Sequence, residues 1–225
     1  MTARAKQWRG PLALVALSLV PAVAGTLRLA GLATGAEPTA GDARFAASPL
    51  PVALHVACAI PYCLLGAFQF HPGLRTRWPA WHRRAGRVLA VAGLAAAVSG
   101  VWMAIAYPIP LALQGPLLLA VRVVVGLAMA GAIVLGVVAI LRRDVAGHER
   151  WMVRAYALGQ GAGTQVLVLG PGLLLLGDVV GPARDLLMTL AWAINAAVAE
   201  HLLRTPRVAG SSPSRSPSPA ERMTS

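Results

Sequence analysis

The sequence predicts an all-α fold, an integral membrane bundle of six transmembrane helices, and three observations carry that reading. The chain of 225 residues is 57% hydrophobic and only 12% charged, where a soluble domain carries about 25% charged residues. Six apolar segments reach the roughly 20 residues needed to cross a bilayer. None shows the two-residue alternation of a membrane barrel, and all are rich in Ala, Leu and Gly.

A basic arm, 1–10, precedes the first span at 11–33. The arm, the apolar stretch and Ala22-Val23-Ala24 also fit a secretory signal with its cleavage site. The apolar run continues through Leu27 to Leu32, however, which favours an uncleaved helix. The second span, 49–70, holds both cysteines, Cys58 and Cys63. On one helix they fall on different faces, about 7.5 Å apart along the axis, and cannot pair. A disulfide scaffold and a zinc knuckle are thereby excluded. The third span, 87–108, the fourth, 116–141, and the fifth, 152–176, carry small residues at four-residue spacing: Gly93 with Ala97, Gly126 with Ala130, Gly159 with Gly163. Such pairs let helices approach closely, which is a packing role. Pro21, Pro61 and Pro171 free backbone carbonyls inside their helices. The sixth span is 183–203, so the transmembrane domain covers 11–204. The Ser/Pro/Arg tail, 205–225, cannot build a core and is expected to be disordered.

The charge is lopsided, 20 Lys plus Arg against 8 Asp plus Glu, a net +12. In a soluble protein this would suggest nucleic acid, but no RNA-binding or helix-turn-helix pattern is present, and nucleic acid is excluded as a partner. Topology accounts for the excess instead. Basic residues gather in the arm (Arg4, Lys6, Arg9), in 71–87, in the link with Arg142, Arg143 and Arg150, and in the tail. The intervening loops hold only Arg44 and Arg184. Positively charged loops stay cytoplasmic, so both termini are expected there, in a bacterial inner membrane. Trp8, Trp78, Trp81 and Trp151 fall beside the same interface, where an indole buries its ring and keeps its N–H wet.

Ionisable groups within spans are functional candidates by default. Arg28, His55 and Arg122 fall about 7–9 Å inside the outer ends of the first, second and fourth spans at 1.5 Å per residue. Facing inward, they would form an outer polar site for a carboxylate or phosphate, which guanidinium binds with a bidentate fork. Asp185 is placed to neutralise one of them. The alternative is that the arginines snorkel to headgroups and His55 packs as a neutral imidazole.

A second concentration lies on the cytoplasmic side, where His71, His82, His148 and His201 occupy one interface. Its polar site is His82, Arg83, Arg87, His148, Arg154 and Glu200. Imidazoles there suit axial ligation of a b-type haem, transition-metal binding or proton transfer, and His55, His82 and His148 are the candidate metal ligands. No fixed metal box is present, and basic residues interleaved with Trp also serve as anionic-lipid anchors. An Arg154–Glu200 pair is geometrically reasonable. The fifth span carries Tyr156, Gln160 and Thr164 as one polar stripe, with Asn195 on the sixth span placed to meet it, an arrangement that holds a bundle together by interhelical hydrogen bonds. No nucleophile elbow, phosphate loop or paired intramembrane carboxylates marks an enzyme.

His55, Gln69, the pairs His82-Arg83 and Gly86-Arg87, the run His148/Trp151-Met152/Arg154/Tyr156, and Asn195 with Glu200 give the chain its resemblance to a family. It resembles the bacterial multi-helix membrane proteins catalogued as domain of unknown function 2306, over 52–203. Relatives often carry an arginine about where this chain has Gln165. The resemblance implies a membrane bundle without an assigned activity. Two readings of function are expected from the residues: a haem-binding or redox-linked protein using His55, or His82 with His148, and a small anion transporter or sensor using Arg28, His55 and Arg122.

Overall fold

The computed structural model describes residues 3–37 and 42–205, without the side chains of 3–6 and of Leu176. The Ser/Pro/Arg tail expected beyond Thr205 lies outside the described residues. Nine α-helices are formed among them: α1 Ala3–Thr34, α2 Ala43–Ala47, α3 Pro49–Gly66, α4 Pro72–Arg77, α5 Pro79–Ala106, α6 Pro116–Leu141, α7 Val145–Gly159, α8 Gly161–Leu176 and α9 Gly181–Arg204. A 3-10 turn, Ala67–Phe70, extends α3. No strand occurs among the described residues. Six spans are long and apolar enough to cross a membrane, with α7 and α8 together forming the fifth.

Four of the long helices, α3, α5, α6 and α9, begin with proline in the first turn, where its missing N–H has no intrahelical partner to lose. Two helices start earlier than hydropathy alone suggests. α1 extends back into the basic arm, and α5 starts at Pro79 rather than near Arg87. A count of apolar residues stops at arginines, whereas the helical backbone does not. The fifth span also begins early, at Val145, where the Asp144 carboxylate accepts from the Gly147 N–H at 2.8 Å. It is interrupted at Gln160, which separates α7 from α8.

α3 packs along α5, α5 along α6 and α6 along α7, while α8 lies on α9 and α1 lies against α3 and α8. The first span is thus packed into the bundle on two sides. The small residues work as close contacts. A Cβ on Gly93 would sit 2.5 Å from the Tyr62 ring, and one on Gly163 would run into the Leu17 carbonyl oxygen of α1. Gly159 faces Tyr62 rather than α1, because the break at Gln160 turns the two glycines of that pair toward different neighbours. Tyr62, Leu89, Ala97, Met129, Ile133, Ala155 and Tyr156 form the main core. Leu27, Val91, Val124, Leu174 and Leu175 stay well exposed around the outside. Exposed apolar surface along whole helices is what hydrocarbon, not water, accommodates. Cys58 and Cys63 are both free, as their spacing requires.

We call the end that carries the start of α1 and the end of α9 the terminal end, and the opposite one the far end.

Candidate functional site

At the far end, Arg28, His55 and Arg122 each have partners of their own. Arg28 pairs with Asp42 at 2.8 Å and lies over the Phe45 ring, both partners being more than a third exposed. His55 sits between α3 and α5, its Nδ1 2.8 Å from the Ala96 carbonyl oxygen and 3.3 Å from Ser99 Oγ. Arg122 donates to Gln114 Oε1, and Gln114 Nε2 donates to the Ala104 carbonyl at 2.8 Å. Asp185 is buried and caps α6, accepting from the N–H groups of Gly115 and Leu118 at 3.1 and 3.2 Å. A carboxylate is favoured there by the unpaired N–H groups and the helix dipole. It also lies within electrostatic reach of Arg122, together with Arg44 and Arg184. Arg44 also lies over the Phe45 ring, at 4.5 Å from its centroid, and its Nε is buried without a partner. Burial, and then the nearby Arg28, hold the Arg44 guanidinium below its ordinary pKa.

The polar stripe divides at the break. Tyr156 donates its hydroxyl to the Cys63 carbonyl at 2.6 Å and accepts from Gln160 Nε2 at 2.6 Å. Gln160 Oε1 accepts from Ser18 of α1 at 2.9 Å. Thr164 instead meets Asn195, at 2.7 Å. The carbonyls released by the interruption are taken up in turn: Ala157 by Asn195, Leu158 by Trp192 and Gly159 by Cys63. A broken membrane helix can expose such carbonyls to an ion; here side chains occupy them, so the stripe joins α7 and α8 to α1, α3 and α9. Gln165 is buried with its Nε2 unpartnered.

The terminal end contains a cavity of about 570 Å³ between α5, α6 and α7, closed on one side by the end of α3 and the 3-10 turn. Drug-sized and cofactor-sized ligands occupy pockets of about 300–1,000 Å³. Its inner walls are Tyr62, Phe70, Leu89, Ile133, Met152 and Tyr156, and its rim carries Arg75, Arg83, Arg87 and Glu149. Arg75 and Glu149 face each other at 4.0 Å. His82 and His148 both line it. His148 Nδ1 lies 2.9 Å from the Gly136 carbonyl oxygen, which makes Nδ1 the donor and leaves a lone pair on Nε2 of the neutral ring. His82 Nδ1 is buried without a partner, and so is Nε2 of Gln69. The other two histidines of this end stand apart. His71 caps α4, accepting from the Leu74 N–H, and packs on Trp8, while His201 is exposed at the end of α9. Arg154 and Glu200 meet as a bidentate pair at 2.5 and 3.1 Å, on the side of α7 facing α9 and away from the cavity lining.

Spacing did not reveal Gln69, Arg75 and Glu149 as cavity residues, because a turn, a short helix and α7 bring them together only in three dimensions. Arg75 and Glu149 did stand in the histidine-bearing runs of the terminal end, and Gln69 in the motif set on which the resemblance rests. Ser18 had no signal beyond being a hydroxyl in an apolar run.

A family model described as a predicted membrane protein, DUF2306, matches residues 52–203. The chain belongs to this family. No curated protein and no solved structure matches. The DUF2306 stretch contains every residue that lines the terminal-end cavity, whereas α1 and α2 lie outside it. As a DUF2306 member the chain is a multi-pass membrane protein embedded in a lipid bilayer.

Proposed function

We propose that this is a bacterial inner-membrane protein, with cytoplasmic termini, that holds an amphipathic redox cofactor, b-type haem, in the terminal-end cavity. The observation that supports the reading is the convergence of the resemblance motifs. Gln69, His82-Arg83, Gly86-Arg87, His148, Met152 and Tyr156 come from separate parts of the chain and line one cavity. The donor set fits the cofactor. His148 is held through Nδ1 by a backbone carbonyl, the arrangement that orients a metal-binding imidazole. Arg75, Arg83 and Arg87 stand at the rim, where guanidinium suits the propionates. Apolar and aromatic walls suit the macrocycle. Bound haem supplies one-electron chemistry, with a potential set by axial ligation and burial. The test is the absorption spectrum of protein produced with haem supplied, before and after reduction. A Soret band with reduced α and β bands, lost in His148→Ala, is expected; a colourless protein that retains its helical circular dichroism refutes the reading.

A second reading, a small-anion transporter or sensor at the far end, is favoured by the buried, unpartnered Nε of Arg44 beside Arg28, with Arg122 and Arg184 near by. Inorganic phosphate or acetate should then raise the unfolding midpoint of the wild type more than that of Arg122→Ala or Arg44→Ala. Equal shifts in all three proteins would remove it.

A further inference from the structure

The terminal-end cavity holds two buried nitrogens without a partner, an amide donor and an imidazole nitrogen that donates in its Nδ1–H tautomer. Gln69 Nε2, on the 3-10 turn, and His82 Nδ1, on α5, are both buried without partners, and both residues line the cavity. An amide NH2 can only donate, and buried donors are almost always satisfied. Gln69 lies beside Gly86, where a Cβ would meet its Oε1 at 3.5 Å, an ordinary contact. Arg83 and Arg87 flank the same stretch of α5 at the rim. His148 differs from His82, since its Nδ1 is already committed to Gly136 and what it offers is a lone pair.

We infer that Gln69 and His82, backed by Arg83 and Arg87, form a seat for a carboxylate at the polar end of an amphipathic acid, whose apolar body lies against Tyr62 and Tyr156. The inference rests on reading the cavity as the ligand site, and it divides the work of the two imidazoles. His148 offers a nitrogen lone pair, and His82 donates a hydrogen bond to a ligand oxygen. With His82 in its Nδ1–H tautomer, two donors and two nearby guanidinium groups match the acceptor-only, anionic character of a carboxylate. A haem propionate and a fatty acid share that chemistry.

The experiment uses the full chain in phosphatidylcholine nanodiscs, with binding read from tryptophan fluorescence quenching and from the unfolding midpoint. The probes are metal-free protoporphyrin IX, its dimethyl ester, palmitate and methyl palmitate. Wild type should prefer the free acid over its ester by about tenfold or more, the scale of one charge-assisted hydrogen bond. Gln69→Leu, which removes the donor, and Gly86→Val, which places bulk beside it, should abolish that preference, so that acid and ester bind each variant alike. The two variants are independent, so a folding defect in one leaves the other to decide. A preference shown by both acids identifies a general carboxylate seat, and one confined to the porphyrin identifies a propionate seat; either supports the inference. Acid and ester binding alike in wild type, or a preference that survives Gln69→Leu, overturns the carboxylate seat while leaving the cavity as a ligand site. If none of the four probes binds, the inference and the reading of the cavity fall together.

Discussion

Replacing Asp185 by Asn changes one atom in a buried group and tests how α6 is started. Asp185 is 3% exposed, and its two oxygens each accept from a different backbone N–H at the N-terminus of α6. The amide in Asp185→Asn would keep one oxygen and turn an NH2 group toward the second N–H. Losing one charge-assisted hydrogen bond costs about 1.5–3 kcal/mol, and losing the carboxylate at the helix dipole costs about 0.3–1 kcal/mol, giving about 2–4 kcal/mol in total. The chain has its own reporter, because Cys58 and Cys63 are free and Cys63 is packed against Gly159. A thiol-reactive dye added during heating should show an unfolding midpoint lowered by several degrees in Asp185→Asn. Asp42→Asn serves as the contrast, since it breaks an exposed ion pair with Arg28 and should cost less than about 1 kcal/mol. An unchanged midpoint for Asp185→Asn, or a larger loss for Asp42→Asn, would refute the argument that the cap matters more than the surface pair.

Three other outcomes are expected. Tyr156→Phe removes a hydroxyl that both donates and accepts at 2.6 Å, and should destabilise the protein by about 1–3 kcal/mol in a detergent unfolding assay. Gly163→Val should push α1 off α8, whereas Gly131→Ala, with open space at its Cβ, should be neutral or slightly stabilising; similar midpoints for the two would argue against the α1–α8 contact. Cysteine replacements should report sidedness, with Ala112→Cys labelled by an impermeant maleimide in intact cells and Arg143→Cys labelled only after permeabilisation. The reverse pattern would invert the proposed orientation.

The spans were legible because hydrocarbon thickness imposes a length on any helix that crosses it, and six runs met it. Their ends were less so at Arg87 and at the basic arm, because hydropathy reports where lipid begins while hydrogen bonding decides where a helix begins. The pairing of Arg154 with Glu200 could be read from depth alone, since opposite charges at one level of neighbouring helices have few other partners. Whether Arg28, His55 and Arg122 face one another could not be read in this way. Equal depth does not set the direction in which a side chain points, and Asp42, Ala96 and Gln114 each claimed one of the three. The cavity needed the turn after α3 and the offset of α7, neither of which has a periodic signature. His82 and His148 were visible as chemistry, but Gln69 became a donor of interest only once its surroundings were known.

Ser18 also bears on the order of assembly. Its hydroxyl lies 2.9 Å from the Leu14 carbonyl of its own helix as well as 2.9 Å from Gln160. A hydroxyl with an acceptor one turn back can enter lipid without an unmet hydrogen bond. The first span can therefore wait in the bilayer alone while three more are made, then turn its hydroxyl hydrogen bond to the fifth when the break at Gln160 arrives. A helix outside the family-matched stretch is in this way fitted to a bundle that is completed after it.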